Sequence, residues 1–302
     1  GNFPTVVLPN PEEPEAMKMA LEKGQEIGAA LVLGTDPDAD RLGIAIAVPG
    51  AGQEPYLLLT GNQIAVLLGD YIMQQRKSGG GEGTLFCVKS LVTTDLLRRL
   101  AEDNGVACRD TLTGFKYIAE QMDIGRRQGE HFIFGAEESF GYLIHDQVRD
   151  KDAVSAAVLA VEMLLWYTRN GISIPERLDE LRNTYGRYDE SVLSKSFQGA
   201  AGRERIEKIM QLFRHETPAS IGGISISEVI DLKTDNSMGL PAADVIICRF
   251  SEGSKLIVRP SGTEPKIKFY IHVTSPPESD NMEASNREKI AVITQELRNY
   301  LK

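Results

Sequence analysis

Gly34-Thr35-Asp36-Pro37-Asp38-Ala39-Asp40-Arg41 sets three carboxylates at alternate positions, with a guanidinium beside the last. An apolar run, Ala29 to Leu33, leads in, and an alternating run, Leu42 to Val48, leads out. The pattern predicts a loop between two strands. In extended or turning backbone alternate side chains share a face, so Asp36, Asp38 and Asp40 can converge on one point. Converging carboxylates repel unless a cation neutralises them, and a hard divalent ion with oxygen ligands suits that role. Arg41 is not a metal ligand. Beside a carboxylate-bound Mg²⁺ its planar fork is suited to holding phosphate. An EF-hand loop opens in a similar way but requires Gly at its sixth position and Glu at its twelfth, where this chain has Arg41 and Ala47. A solvated acidic turn accounts for the same residues without any ion.

Three further stretches carry polar chemistry. Thr111-Leu112-Thr113-Gly114-Phe115-Lys116 joins a predicted strand to a helix. Thr113 is placed to cap that helix, and a helix start with a lysine in its first turn suits an anion. Taken by itself, the stretch is explained better by a capped helix with a surface lysine. Gly135-Ala136-Glu137-Glu138-Ser139-Phe140-Gly141 packs two carboxylates and a hydroxyl between glycines. Such groups can accept several sugar hydroxyls, or they can form a solvated turn. Just beyond, Arg149-Asp150-Lys151-Asp152 opens a long helix, and two cations there oppose the macrodipole unless an anion lies nearby. In Arg259-Pro260-Ser261-Gly262-Thr263-Glu264-Pro265, Gly262 is expected to turn the backbone so that successive N–H groups point inward. Ser261 and Thr263 add hydroxyl donors and Arg259 a bidentate charge, which together favour phosphate over a plain hairpin turn.

The elements that must position these groups follow from the patterning. At 302 residues the chain is long enough for two domains and part of a third. Val6 to Leu8 reads as a short strand and Glu15 to Ile27 as a helix. With the aspartate strands they are too few to enclose a core. Tyr56 to Leu59, Thr84 to Val88, Val106 to Arg109 and Phe132 to Phe134 read as strands alternating with helices, which indicates a layered α/β domain. Its ligands should gather at the strand-to-helix turns. Ser78-Gly79-Gly80-Gly81 reads as a flexible loop without the ending of a phosphate loop. Ala153 to Tyr167 is read as a buried helix, too short to span a bilayer. After a boundary near Ile174-Pro175 come a polar helix, a second helix from Ala200 to Arg214, four strands and a final helix from Ser285 to Leu301. In the last strand Ile267, Phe269 and Ile271 alternate with Lys268, Tyr270 and His272, predicting one buried and one wetter face. The fold class expected is therefore α/β followed by a smaller α+β unit with an antiparallel sheet.

Composition narrows the function. A net charge of −10 argues against a general nucleic-acid binder. The odd number of scattered cysteines, Cys87, Cys108 and Cys248, and the lack of a leader-like opening suggest a reducing cytoplasm, with no membrane partner.

Four motifs in order across nearly the whole chain resemble the α-D-phosphohexomutase superfamily, the phosphoglucomutases and phosphomannomutases. Gly34 to Arg41 resembles the family's metal loop, and Thr113 to Lys116 its third-domain specificity loop. Glu137 to Gly141 resembles its sugar-binding loop, and Arg259 to Pro265 its phosphate-binding loop. The resemblance implies that Asp36, Asp38 and Asp40 bind Mg²⁺ and that Arg41 lies by the transferring phosphoryl group. Glu137 and Ser139 would take sugar hydroxyls, while Arg259, Ser261, Gly262 and Thr263 would hold the non-reacting phosphate. Lys116 and Thr113 would sit at the substrate, and Lys151 is like a lysine near the sugar loop of glucose-selective members. The implied division is residues 1–48 as the end of domain two, 49–175 as domain three and 176–302 as domain four.

The implied reaction moves phosphate between O1 and O6 of a hexose through an enzyme phosphoserine and a bisphosphate. The ligands would be glucose 1-phosphate, glucose 6-phosphate and glucose 1,6-bisphosphate. The family's carrier serine lies in a Ser-His loop, and no Ser-His pair occurs in this sequence. The expectation is a chain that lacks the first domain, is inactive alone and depends on the N-terminal domains of the same protein. Mannose or pentose phosphate specificity, an aspartyl-nucleophile phosphatase using Asp36, and a non-catalytic sugar-phosphate sensor are the alternatives. Ala39 counts against the phosphatase, which carries Thr or Val at that position.

Overall fold

The computed structural model describes residues 2–48, 50, 52, 55–79, 83–262 and 264–302. Thr263, with Gly80 and Gly81 of the glycine run, lies outside them. The chain divides into two compact units, residues 1–181 and 182–302.

The first unit opens with helix α1 (Pro14–Ile27), which begins at a proline and ends at Gly28 in the left-handed region. Its Met17 packs on Val32 and Ala45 of strands β1 (Leu31–Thr35) and β2 (Leu42–Ala47). These strands pair antiparallel, with Leu31 opposite Ile46 and Thr35 opposite Leu42. Strand β3 (Tyr56–Leu58) pairs with β2 rather than starting the layered domain as its sequence position suggests. Val6 to Leu8 does not form the expected strand; Val7 and Leu8 are exposed.

The layered part follows helix α2 (Gly61–Gly79) with strand β4 (Leu85–Ser90), helix α3 (Leu96–Asp103) and strand β5 (Ala107–Thr111). Helix α4 (Phe115–Arg127), strand β6 (His131–Glu137) and strand β7 (Gly141–Leu143) complete a sheet of order β5-β4-β6-β7. The first three are mutually parallel, and β7 turns back antiparallel on β6. Apolar strand residues are covered on both faces, as a parallel sheet requires. Helix α4 lays Phe115, Ile118 and Met122 on Phe86, Val88 and Leu143. From α2, Gly69 approaches so closely that a Cβ there would stand 2.6 Å from Leu97 and 3.5 Å from Phe134.

Helix α5 (Ala153–Arg169) starts at the Asp152 cap as expected. It is not buried all round: Val154, Val158, Val161 and Leu165 form an exposed stripe. Helix α6 (Ile174–Tyr185) docks through Arg177, whose guanidinium donates to both oxygens of buried Asp70 at 2.8 Å.

In the second unit strand β8 (Arg187–Ser196), helix α7 (Gly199–His215) and strand β9 (Ser220–Ile221) precede four further strands. These are β10 (Ile224–Asp231), β11 (Ile246–Phe250), β12 (Lys255–Pro260) and β13 (Lys266–Ser275). They form one antiparallel sheet of order β8-β13-β12-β11-β10-β9, with helix α8 (Met282–Tyr300) closing the chain. Ile206, Met210 and Phe213 of α7 and Ile293 and Leu297 of α8 bury against Ile267, Phe269 and Ile271. Tyr270 and His272 are buried as well, so the expected wetter face of β13 shrinks to Lys266, Lys268 and Thr274 at its two ends. Strand β8 has no apolar alternation to announce it. It is held by its full-length register with β13. The mixed α/β unit followed by an antiparallel α+β unit is the fold class expected from the sequence.

Candidate functional site

The loop between β1 and β2 folds on itself. One oxygen of Asp36 accepts from the backbone N–H groups of Asp40 and Arg41, each at 3.0 Å. Ala39 adopts φ +56°, a conformation costly for a residue with a side chain. This curl brings one carboxylate oxygen from each of Asp36, Asp38 and Asp40 within 4.8 Å of one another. Partial burial, together with neighbouring Asp40, holds the Asp36 carboxyl above its ordinary pKa. Three hard oxygen donors in one cluster fit a hard divalent cation, and a cation already sits against them. The Lys151 ammonium is 2.7 Å from Asp40 Oδ2 and 2.9 Å from Asp150 Oδ1. Burial weakens that ammonium's hold on its proton, but Asp40 and Asp150 outweigh the effect and raise its pKa. Arg41 Nε lies 3.6 Å from Asp36 and 3.7 Å from Asp40, while its Nη1 donates to Glu12 at 3.0 Å. Glu12 carried no motif; its role as Arg41's partner emerges only from the fold.

The Glu137 turn is built against this loop. Leu42 N–H donates to Phe140 O at 2.9 Å, and Arg41 bridges to Gly141. The first N–H of α5, from Ala153, donates to Ala39 O at 3.0 Å. Glu137 ends β6 and is buried, and Gly114 N–H donates to its Oε1 at 2.6 Å. The Thr113-Gly114 turn and the Glu137 turn are therefore one structure. Ser90 at the end of β4 donates to Glu138 Oε2 at 3.1 Å, and Thr93 Oγ1 donates to Ala136 O. Phe140 takes φ +67°, a second strained position in the same assembly. Ser139 is half-buried on this turn. Lys151 runs its stem beside Gly141, where a Cβ would stand 2.3 Å from Lys151 Cδ.

One local expectation is corrected. Thr113 does not cap α4; Gly114 occupies the cap position with φ +117°, without a side-chain cap, and directs its N–H to Glu137 instead. Lys116 is exposed and lies 4.9 Å from the Tyr117 ring centre. The anion required near the cationic start of α5 is Asp40, with Asp150 beside it.

In the second unit Arg259, on β12, pairs with Lys268 across the hairpin, and Ser261 N–H donates to Lys266 O at 2.7 Å. Gly262 is exposed, and its φ is not positive, so the turn does not depend on glycine's left-handed freedom there. A Cβ at Gly262 would meet nothing within 4 Å. Pro260, Ser261, Gly262 and Glu264 border a cavity of about 440 Å³ with Arg203 and Arg214 of α7.

Comparison with known proteins agrees with the family resemblance. Residues 60–185 match the family model "Phosphoglucomutase/phosphomannomutase, alpha/beta/alpha domain III". Residues 1–49 match that family's alpha/beta/alpha domain II, and residues 231–289 its C-terminal domain. A Haemophilus influenzae protein named "Probable phosphomannomutase" is 38% identical over 273 residues, which are 90% of this chain and 52% of that protein. A Staphylococcus epidermidis phosphoglucomutase is 36% identical over 284 residues, 91% of this chain and 50% of that protein. The open form of the Paramecium phosphoglucomutase pp63/parafusin shares the fold, with a TM-score of 0.67 at 20% identity, over 90% of this chain and 45% of that one. The chain thus spans about half the length of the curated relatives it matches. Three models of one family, in sequence order, place this chain in the phosphoglucomutase/phosphomannomutase family of the α-D-phosphohexomutase superfamily.

Proposed function

We propose that this chain carries the metal, sugar and phosphate loops of a phosphoglucomutase-type enzyme. The reaction interconverts hexose 1-phosphate and hexose 6-phosphate through an enzyme phosphoserine and a bisphosphate intermediate. The observation that carries this reading is the hydrogen-bonded union of the Asp36 loop with the Glu137 turn, through Leu42 N–H to Phe140 O and Ala153 N–H to Ala39 O. In this reading that union holds the acidic metal ligands and the sugar-accepting groups in one site. Such fixed placement matters because phosphoryl transfer depends mainly on positioning and on cations at the transferring oxygens.

In this reading Asp36, Asp38 and Asp40 hold Mg²⁺, which when bound neutralises charge on the transferring phosphoryl group. Arg41 orients that group; its present partners, Asp36, Asp40 and Glu12, set its fork beside the metal loop. Glu137 and Ser139 accept sugar hydroxyls, and the Thr113-Gly114 turn fixes Glu137 through the Gly114 N–H. Lys151 and, from the first turn of α4, Lys116 serve the substrate's anionic end. Arg259, Ser261, Gly262 and Thr263 hold the second phosphate. Domains two, three and four are assigned to residues 1–48, 49–175 and 176–302. No Ser-His pair occurs among the 302 residues, which supports a phosphate carrier supplied by another segment.

The test is a crystal soaked with glucose 1-phosphate and Mg²⁺, beside a coupled assay primed with glucose 1,6-bisphosphate. Sugar density over Glu137 and phosphate density at Ser261 are expected, with no turnover by this chain alone. Turnover above background would overturn the assignment of the carrier to another segment. Absence of density at Glu137 would overturn the sugar site. Mannose 1-phosphate in the same soak tests the neighbouring specificity.

A further inference from the structure

The ion pair between Asp40 and Lys151 joins one candidate metal ligand to the start of α5. Its geometry is constrained from several sides. The ammonium is 2.7 Å from Asp40 Oδ2, and the side chain is only 15% exposed. The stem lies against Gly141, where a Cβ would stand 2.3 Å from Lys151 Cδ, and the ammonium stands 5.6 Å from the Phe115 ring centre. The helix start that carries Lys151 is tied to the loop by Ala153 N–H donating to Ala39 O at 3.0 Å. A divalent ion sharing Asp40 with this ammonium would face a like charge at contact distance, at a partly buried position where screening is weak.

We propose that Lys151 is the internal counter-ion of the metal loop: its ammonium neutralises Asp40 and must be displaced before a divalent cation can use that carboxylate. The inference rests on the metal reading of Asp36, Asp38 and Asp40 and adds a positioning residue that sets how tightly the ion is held. Displacement moves one positive charge off Asp40 as the ion arrives, while the stem remains anchored beside the sugar turn. The protein thereby keeps its acidic loop folded without metal, at the cost of weaker metal binding.

The experiment is a Mn²⁺ titration of the 302-residue chain, with free Mn²⁺ counted by electron paramagnetic resonance and folding checked by circular dichroism. Lys151→Met keeps the apolar stem beside Gly141 and removes the charge. It should bind Mn²⁺ roughly tenfold more tightly than the wild type, the order expected for removing a like charge at this range. Lys151→Gln, a second neutral side chain, should change affinity in the same direction. Lys151→Arg keeps the charge and should stay within about twofold of the wild type. Asp36→Asn can preserve the loop's backbone hydrogen bonds and should weaken binding in every background. If the two neutral variants bind no more tightly than the wild type while Asp36→Asn still weakens binding, the counter-ion role is wrong and the metal reading stands. If Asp36→Asn changes nothing, the metal reading fails and the counter-ion role fails with it.

Discussion

The turn from Glu137 to Gly141 and the turn from Ser261 to Glu264 both connect adjacent strands, yet they are held in different ways. The first is gripped by residues distant in sequence. Ser90 donates to Glu138, Gly114 to Glu137 and Leu42 to the Phe140 carbonyl, while Gly61 lets α2 close on the Glu138 carbonyl. Among its described residues the second is closed by short-range backbone bonds, Ser261 N–H to Lys266 O and Lys266 N–H to Glu264 O, beside a longer-range bond from Phe197 N–H to Pro265 O, and a Cβ at Gly262 would meet nothing within 4 Å. Neutral sugar hydroxyls give direction but little long-range attraction, so their acceptors gain from being fixed beforehand. A phosphate attracts its donors by charge and tolerates a looser cradle.

That contrast can be broken by substitution. The largest effect is expected beneath the first turn. Lys89 is fully buried between Asp95 at 3.1 Å and Asp110 at 3.0 Å. Burial alone would lower its pKa, but the two carboxylates raise it well above the ordinary value, so it stays charged. Lys89→Met removes a fully buried cation from the partly buried carboxylates of Asp95 and Asp110 and should cost at least about 3 kcal/mol in urea unfolding. Next comes Gly61→Ala, whose Cβ would stand 1.9 Å from the Glu138 carbonyl oxygen. Relief requires backbone movement, and a loss of about 3 kcal/mol is expected, with weaker sugar-phosphate binding by calorimetry.

Glu137→Gln tests the proposed sugar turn directly. It should weaken glucose 1-phosphate binding by about tenfold, as loss of a charge-assisted acceptor does, and leave inorganic phosphate binding at the Ser261 turn unchanged. Asp152→Ala should cost about 1 kcal/mol, because Asp152 accepts the Val154 and Ser155 N–H groups at the start of α5. Burial works against its charged form, but these hydrogen bonds and His145 hold the Asp152 pKa below 3.8. Its stabilising contribution is therefore present above pH 3.8 and is lost as pH falls through the lower folded value. Asp152→Asn keeps an acceptor and should flatten that part of the acid profile. The smallest effect belongs to Gly262→Ala, expected below about 0.5 kcal/mol because neither space nor backbone conformation demands glycine there. A large loss at Gly262 would remove the distinction between the two turns.

Much of this molecule was legible as sequence because the informative signals were local. Apolar runs, continuous or alternating, placed β1, β2 and β10 to β13, and the Asp152 cap with Asn170-Gly171 bounded α5. Spacing alone placed Asp36, Asp38 and Asp40 on one curl. Other features left no local trace. Strand β8 is mostly polar and exists through its pairing with β13, and Tyr56–Leu58 could not declare which sheet it would join. The stripe of Val154, Val158, Val161 and Leu165 reads as core by composition and is exposed in the fold.

The sequence by itself determined the chemical inventory: which short stretches carry carboxylates, hydroxyls and cations, and which strands and helices they punctuate. Only the tertiary structure decided who meets whom. It set Lys151 on Asp40, Glu12 on Arg41 and Gly114 on Glu137, and it denied Thr113 its cap. The physical reason is range. Periodicity and capping act within a few residues, whereas a hydrogen bond or an ion pair forms between any two groups that the packing of distant elements brings within about 3 Å.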